Sequence, residues 1–85
     1  GMTHQFRPRG VCSRKISFDL ENGIIRNVHF EGGCNGNTQG LARLTEGMPA
    51  RELVQRLAGI RCGLKDTSCP DQLAQAVTQA LRENA

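Results

Sequence analysis

Four cysteines carry most of the chemistry available to this 85-residue chain. Cys12 precedes an alternating segment, and Cys34 lies within Gly32-Gly33-Cys34-Asn35-Gly36-Asn37. Cys62 stands in Gly59-Ile60-Arg61-Cys62-Gly63, and Cys69 opens Cys69-Pro70-Asp71. The intervals between them hold 21, 27 and 6 residues, so no CxxC knuckle is present and spacing alone does not specify a metal site. Position says more than spacing. Each thiol falls where the backbone changes character, and glycine-flanked loops turn several N–H groups toward a sulfur, which favours the thiolate that a soft metal requires. The competing reading is that each is a small buried hydrophobe, a common fate of free cysteine.

Cys69 supports a second chemistry. At a helix N-terminus its thiolate meets unpaired N–H groups and the positive end of the helix dipole, and Lys65 lies nearby in sequence. With Cys62 as resolving partner it would form a redox or thiol-transfer pair. No general base stands out: the two histidines are His4, in an N-terminal arm, and His29, in the polar phase of a strand. The glycine-rich stretch around Cys34 follows a strand and opens a helix, as phosphate loops do, but it lacks both the GK[ST] ending and the full GxGxxG pattern.

The elements that must position these thiols are legible from periodicity. Ile16, Phe18 and Leu20 alternate with polar residues, and Ile24, Val28 and Phe30 resume the even phase after Glu21-Asn22-Gly23. Pairing even with even requires an odd loop, so the expectation is a three-residue turn through Glu21, Asn22 and Gly23. Residues 4–7 are available as a third strand, ended by Pro8. A first helix begins near Thr38 as N-cap and carries Leu41, Leu44 and Met48 on its apolar stripe. A second follows Pro49 with Leu53, Leu57 and Ile60, closed by Gly59. A loop from Arg61 to Ser68 carries Cys62. The last helix runs from Pro70 to about Glu83 and buries Leu73, Val77, Ala80 and Leu81, with Ser68 and Asp71 forming a capping-box pattern. The expected fold is α+β: a small antiparallel sheet with three helices packed on one face.

Composition sets the limits. The length allows one domain, residues 2–85, with Gly1 ahead of Met2 reading as a residue left by tag cleavage. Leu, Ile, Val and Phe supply 19 residues, and there is no Trp or Tyr, so the core is lean and a metal, a disulfide or a second copy of the chain is a candidate staple. A multidomain enzyme with a deep pocket is excluded. No apolar run suggests a signal peptide or a membrane span, which points to the cytoplasm, where thiols stay reduced and disulfides are rare. The net charge is +3, and Arg7, Arg9, Arg14 and Lys15 place +4 in the first fifteen residues. Such an arm suits phosphate, whether nucleic acid or nucleotide, but no stacking aromatics or nucleic-acid motif accompany it, so this partner ranks below the others.

Thr67-Ser68-Cys69-Pro70-Asp71 spells the motif after which the TSCPD domain family is called. Together with Val11-Cys12-Ser13, the two glycine-flanked cysteine segments and Asp71-Gln72-Leu73-Ala74, it makes the chain resemble that family from about residue 6 to 82. The family includes small stand-alone bacterial proteins and the C-terminal part of cobalamin-dependent ribonucleotide reductases. The resemblance implies a link to ribonucleotide reduction, and a reductase or iron–sulfur protein as partner, without making this chain a reductase. More distantly, the layout is similar to the U-type iron–sulfur scaffold proteins, whose three ligand cysteines correspond to Cys12, Cys34 and Cys69. Arg14 and Ser68 stand where that family has Asp and His, and its Leu-Pro-Pro-Val-Lys segment is absent.

The expectation is therefore a binding module, not an enzyme alone. Cys12, Cys34, Cys62 and Cys69 would converge on one metal, zinc ahead of an iron–sulfur cluster. The alternative is a redox or sulfur-handling protein with Cys69 as nucleophile and Cys62 resolving. The weaker alternative is nucleic-acid or nucleotide binding through the basic arm.

Overall fold

A computed structural model of the chain describes residues 2–83; the cleavage residue inferred at Gly1 lies outside the described residues. Three strands, β1 (Met2–Phe6), β2 (Ser13–Glu21) and β3 (Ile24–Gly32), form an antiparallel sheet in the order β1-β2-β3. Three helices follow: α1 (Asn35–Thr45), α2 (Ala50–Leu57) and α3 (Cys69–Glu83). The fold is α+β, as the alternation and the helical stripes predict.

The turn between β2 and β3 departs from expectation. Glu21 pairs with Ile24, so the loop is the two-residue Asn22-Gly23, with φ of 51° and 77°. Positive φ at both positions is the type I′ geometry that matches strand twist. The phase argument for a three-residue loop assumed an unbroken ladder. Instead Asn27 and Val28 together oppose Phe18 between the pairs Asp19↔Arg26 and Ser17↔His29, a β-bulge with Asn27 at φ 56°. The extra residue flips the phase, so Ile25 rather than Ile24 is buried near the turn, while Val28 and Phe30 remain on the core face. Asn27 fits the bulge because its amide donates to Asp19 Oδ2 at 2.8 Å and its backbone N–H donates to Glu46 Oε1 at 2.8 Å.

The sheet buries Ile16, Phe18 and Leu20 of β2 with Ile25, Val28 and Phe30 of β3. Against them lie Leu53 of α2 and Leu73 and Val77 of α3, with small Ala50, Ala74 and Ala80 letting the helices approach. The outer edge of β3 is covered near the turn: Ile25 N–H donates to the Met48 carbonyl at 2.9 Å, and Gly47 N–H donates to the Ile25 carbonyl at 2.8 Å. Such pairing removes an open edge without a fourth strand.

Helix α1 begins earlier than expected and faces the core differently. Cys34 is its N-cap, and Thr38 sits inside the helix with its hydroxyl donating to the Cys34 carbonyl at 2.9 Å. The buried stripe is Thr38 and Thr45, with Leu41 and Ala42 partly covered, at helical i, i+3, i+4, i+7 spacing. Leu44 is exposed, as is Ile60 beyond α2. A hydrophobic count misses this face because threonine reaches the core by returning its hydroxyl to the preceding turn. The N-terminal segment is not a free arm. Residues 2–6 are paired with β2, and the ring of His4 stacks on Phe18 with centroids 5.4 Å apart. Arg14 and Lys15 both lie near Glu31, at 3.8 and 3.4 Å, and among the described residues Arg7 and Arg9 form no ion pair. Among the described residues no helix is long and apolar enough to cross a membrane.

Candidate functional site: a cavity lined by four thiols

The four cysteines come from four separate stretches of chain, and all four line one cavity of about 320 Å³. Cys12 ends the connection into β2, and Cys34 sits where β3 passes into α1. Cys62 is carried on the loop between α2 and α3, and Cys69 is the first residue of α3. Cys12, Cys34 and Cys62 are exposed, whereas Cys69 is half-buried. Val11, Leu41 and Pro70 supply the apolar walls, and among the described residues Lys65 is the one charged side chain on the lining. Among the described residues, no carboxylate or imidazole shares the lining with the thiols. Two helices aim their N-termini at it, α1 through Cys34 and α3 through Cys69. The helix dipoles therefore present their positive ends on the side of the cavity that carries Cys34 and Cys69.

Three of the thiol-bearing segments meet at Ser13. Its side chain is buried, and its Oγ shares a hydrogen bond with Cys69 Sγ at 3.3 Å. Gly33 runs directly over it. A Cβ at Gly33 would lie 2.6 Å from Ser13 Oγ and 3.2 Å from its backbone nitrogen, and φ is +79°, so only glycine fits there. This contact brings the residue after Cys12, the residue before Cys34 and Cys69 itself to one point.

The loop of Cys62 is held at its base by the first turn of α3. Ser68 Oγ accepts the Asp71 N–H at 3.1 Å, as a capping residue should, and donates to the Ile60 carbonyl at 2.6 Å. Asp71 does not complete a reciprocal capping box. Its carboxylate accepts from Gly59 N–H at 2.7 Å, from the Thr67 hydroxyl at 2.5 Å and from Gln75 Nε2 at 3.0 Å. The Thr67 hydroxyl, above all, holds the Asp71 carboxyl below its ordinary value of 3.8; burial opposes this, and the Gly59 and Gln75 donors add to it. At the tip, Cys62 N–H donates to the Thr67 carbonyl and Lys65 N–H to the Cys62 carbonyl, at 3.1 and 3.0 Å.

All four sequence-predicted ligands are thus brought to one cavity, yet not into a finished coordination shell. Among the described residues, no three His, Cys, Asp or Glu side chains stand close enough to hold a metal ion as placed. His29 is exposed on β3, outside the cavity lining. Sequence reasoning missed the supporting residues Ser13, Thr67 and Gln72. Ser68 and Asp71 carried a capping signal; Gln72 stands within the Asp71-Gln72-Leu73-Ala74 motif with no role attached, and it is buried with its amide turned to Thr67 and Arg9.

Fold and cavity together define a small α+β cysteine-bearing domain, and comparison places it. The sequence model of the TSCPD domain family matches residues 1–81, and the chain belongs to that family. Neither the curated proteins nor the solved structures compared with the chain contain a match.

Proposed function

We propose that the chain is a soft-metal binding module, with Cys12, Cys34, Cys62 and Cys69 as the donors for zinc or an iron–sulfur cluster. The observation that carries this is the convergence of all the cysteines in the sequence on one cavity. Four thiols that arise from unrelated elements have no packing reason to share a wall, and three of them are exposed, so burial does not explain them. The donor chemistry fits: thiolates without competing carboxylates select zinc, cuprous copper or iron–sulfur centres over hard cations. Closing the shell requires the glycine-flanked loops of Cys34 and Cys62 to draw inward, and metal binding is coupled to such ordering. The metal would act as a clip between the sheet, α1 and α3. By the family's link to cobalamin-dependent ribonucleotide reductases, the module's partner is proposed to be such a reductase or another iron–sulfur or thiol-dependent enzyme.

Single Cys→Ser variants test the reading. Each of the four should weaken zinc or cobalt binding, because thiolate ligation is lost at each position, while the fold persists.

A second reading has its own support in the placement of Cys62 and Cys69 on one cavity beside Lys65. The Cys69 thiolate would attack a disulfide of a partner, and Cys62 would resolve the mixed disulfide, leaving the partner reduced and this chain oxidised. Loss of turnover on a model disulfide in Cys69→Ser and trapping of the mixed disulfide in Cys62→Ser would favour it over the metal site.

A further inference from the structure

The connections of Asp71 reach beyond the helix it caps. Its Oδ2 accepts from the Thr67 hydroxyl at 2.5 Å, and Thr67 Oγ1 in turn accepts from Gln72 Nε2 at 2.8 Å. Gln72 Oε1 then accepts the backbone N–H of Arg9 at 3.0 Å. Read from the far end, Arg9 N–H, the Gln72 amide and the Thr67 hydroxyl form a chain in which every donor points the same way and the last acceptor is a carboxylate. The other oxygen, Oδ1, accepts Gly59 N–H at 2.7 Å. Ser68, Asp71 and Gln72 are all buried.

These two arms hold two different thiol-bearing segments. The Oδ1 arm ties down Gly59, where the loop of Cys62 leaves α2. The Oδ2 arm reaches Arg9, three residues before Cys12. The segment is also pressed onto Thr67: a Cβ added at Gly10 would lie 3.0 Å from Thr67 Cγ2. The helix that supplies Asp71 begins with Cys69. One carboxylate therefore stands between three of the four cysteines, although it lines no part of the cavity itself.

We propose that Asp71 is the positioning residue of the four-thiol cavity, fixing the loop of Cys62 directly and the segment of Cys12 through Thr67 and Gln72, in register with Cys69. This rests on the reading of the cavity as a single site. A charged acceptor at the end of the chain strengthens each bond and sets the direction of all of them, because the hydroxyl and the amide have alternative orientations until a carboxylate selects one. An amide at position 71 presents one acceptor and one donor. Where the donor faces Gly59 N–H, that arm is lost; where it faces Thr67, the hydroxyl has to accept instead of donate, and the longer arm loses its charged acceptor and its fixed direction.

The test uses Asp71→Asn and Gln72→Leu in the full chain, read by amide hydrogen exchange at Arg9 and Gly59 and by the thiolate-to-cobalt absorption of added Co²⁺. Asp71→Asn should speed exchange about tenfold at Gly59, Arg9 or both, with the β2–β3 amides unchanged. Gln72→Leu should speed Arg9 alone, leaving Gly59 protected, because it cuts only the longer arm. Both variants should weaken the cobalt signal. Unchanged protection of both amides in Asp71→Asn would overturn the proposal, as would equal loosening of Gly59 and Arg9 in Gln72→Leu. If the unmodified chain gives no cobalt–thiolate band, the metal reading fails, and the exchange pattern still decides whether Asp71 holds the two segments.

Discussion

The Ser13 hydroxyl oxygen lies 3.3 Å from the Cys69 sulfur, and the same oxygen is the nearest atom to the space where Gly33 lacks a side chain. The start of β2, the end of β3 and the start of α3 are joined there, and each of these points adjoins or contains a cysteine. The cavity owes its shape to this three-way contact as much as to the thiols that line it.

Gly33→Ala should therefore be costly. The left-handed φ and the overlap with Ser13 together predict a loss of about 2–3 kcal/mol in urea unfolding. Gly36→Ala, at the second residue of α1 with nothing within 4 Å of an added Cβ, is the control and should be neutral or stabilising by up to about 0.5 kcal/mol. Equal effects at the two glycines would contradict the close approach.

The bulge in β3 gives a second prediction. Asn27 takes a left-handed φ and bonds to Asp19 and Glu46, so Asn27→Ala should cost about 1–2 kcal/mol, whereas Asn27→Gly should recover the conformational part of that loss. Thermal unfolding of the two variants measures the difference. A register change in Asn27→Ala would appear as exposure of Ile25 or Phe30, since a shift of one residue exchanges the two faces.

Acid stability should depend on Asp71. Its folded-state carboxyl titrates below 3.8, so the unfolded chain binds the proton first. The stability it contributes is present above 3.8 and is lost as pH falls through the lower folded value. Unfolding measured from about pH 5 to pH 2 should show a steep acid limb in the natural sequence and a shallower one in Asp71→Asn. Asp19, also lowered, first by the Thr3 hydroxyl and then by the Asn27 amide, accounts for part of the slope that remains. Identical acid limbs would show that Asp71 is not held in its charged form by the fold.

Much of this architecture is legible in the residues. The alternation of Ile16, Phe18 and Leu20 marks β2, and Leu73, Val77 and Ala80 mark α3, because apolar side chains at regular spacing have one way to be buried. The β2–β3 register is not legible the same way. Asn22-Gly23 is a strong two-residue turn signal, but accepting it strands the core face unless a bulge is placed at Asn27, and nothing local announces that bulge. The face of α1 is hidden for a related reason, since Thr38 and Thr45 do not count as apolar and yet are buried. At the site, the cysteines stand out by type and by their glycine neighbours. Their support does not: Ser13 and Gln72 are ordinary polar residues until the chain folds and brings them against Cys69 and Arg9.

Four thiols distant in sequence that act as one site must be protected together. Native mass spectrometry of the chain reconstituted with zinc, or with iron and sulfide, combined with counting of alkylatable thiols, tests this most directly. One zinc ion or one cluster per chain is expected, with Cys12, Cys34, Cys62 and Cys69 all protected together and released together by chelator. A folded chain that takes up neither, and whose four thiols alkylate independently, would contradict it.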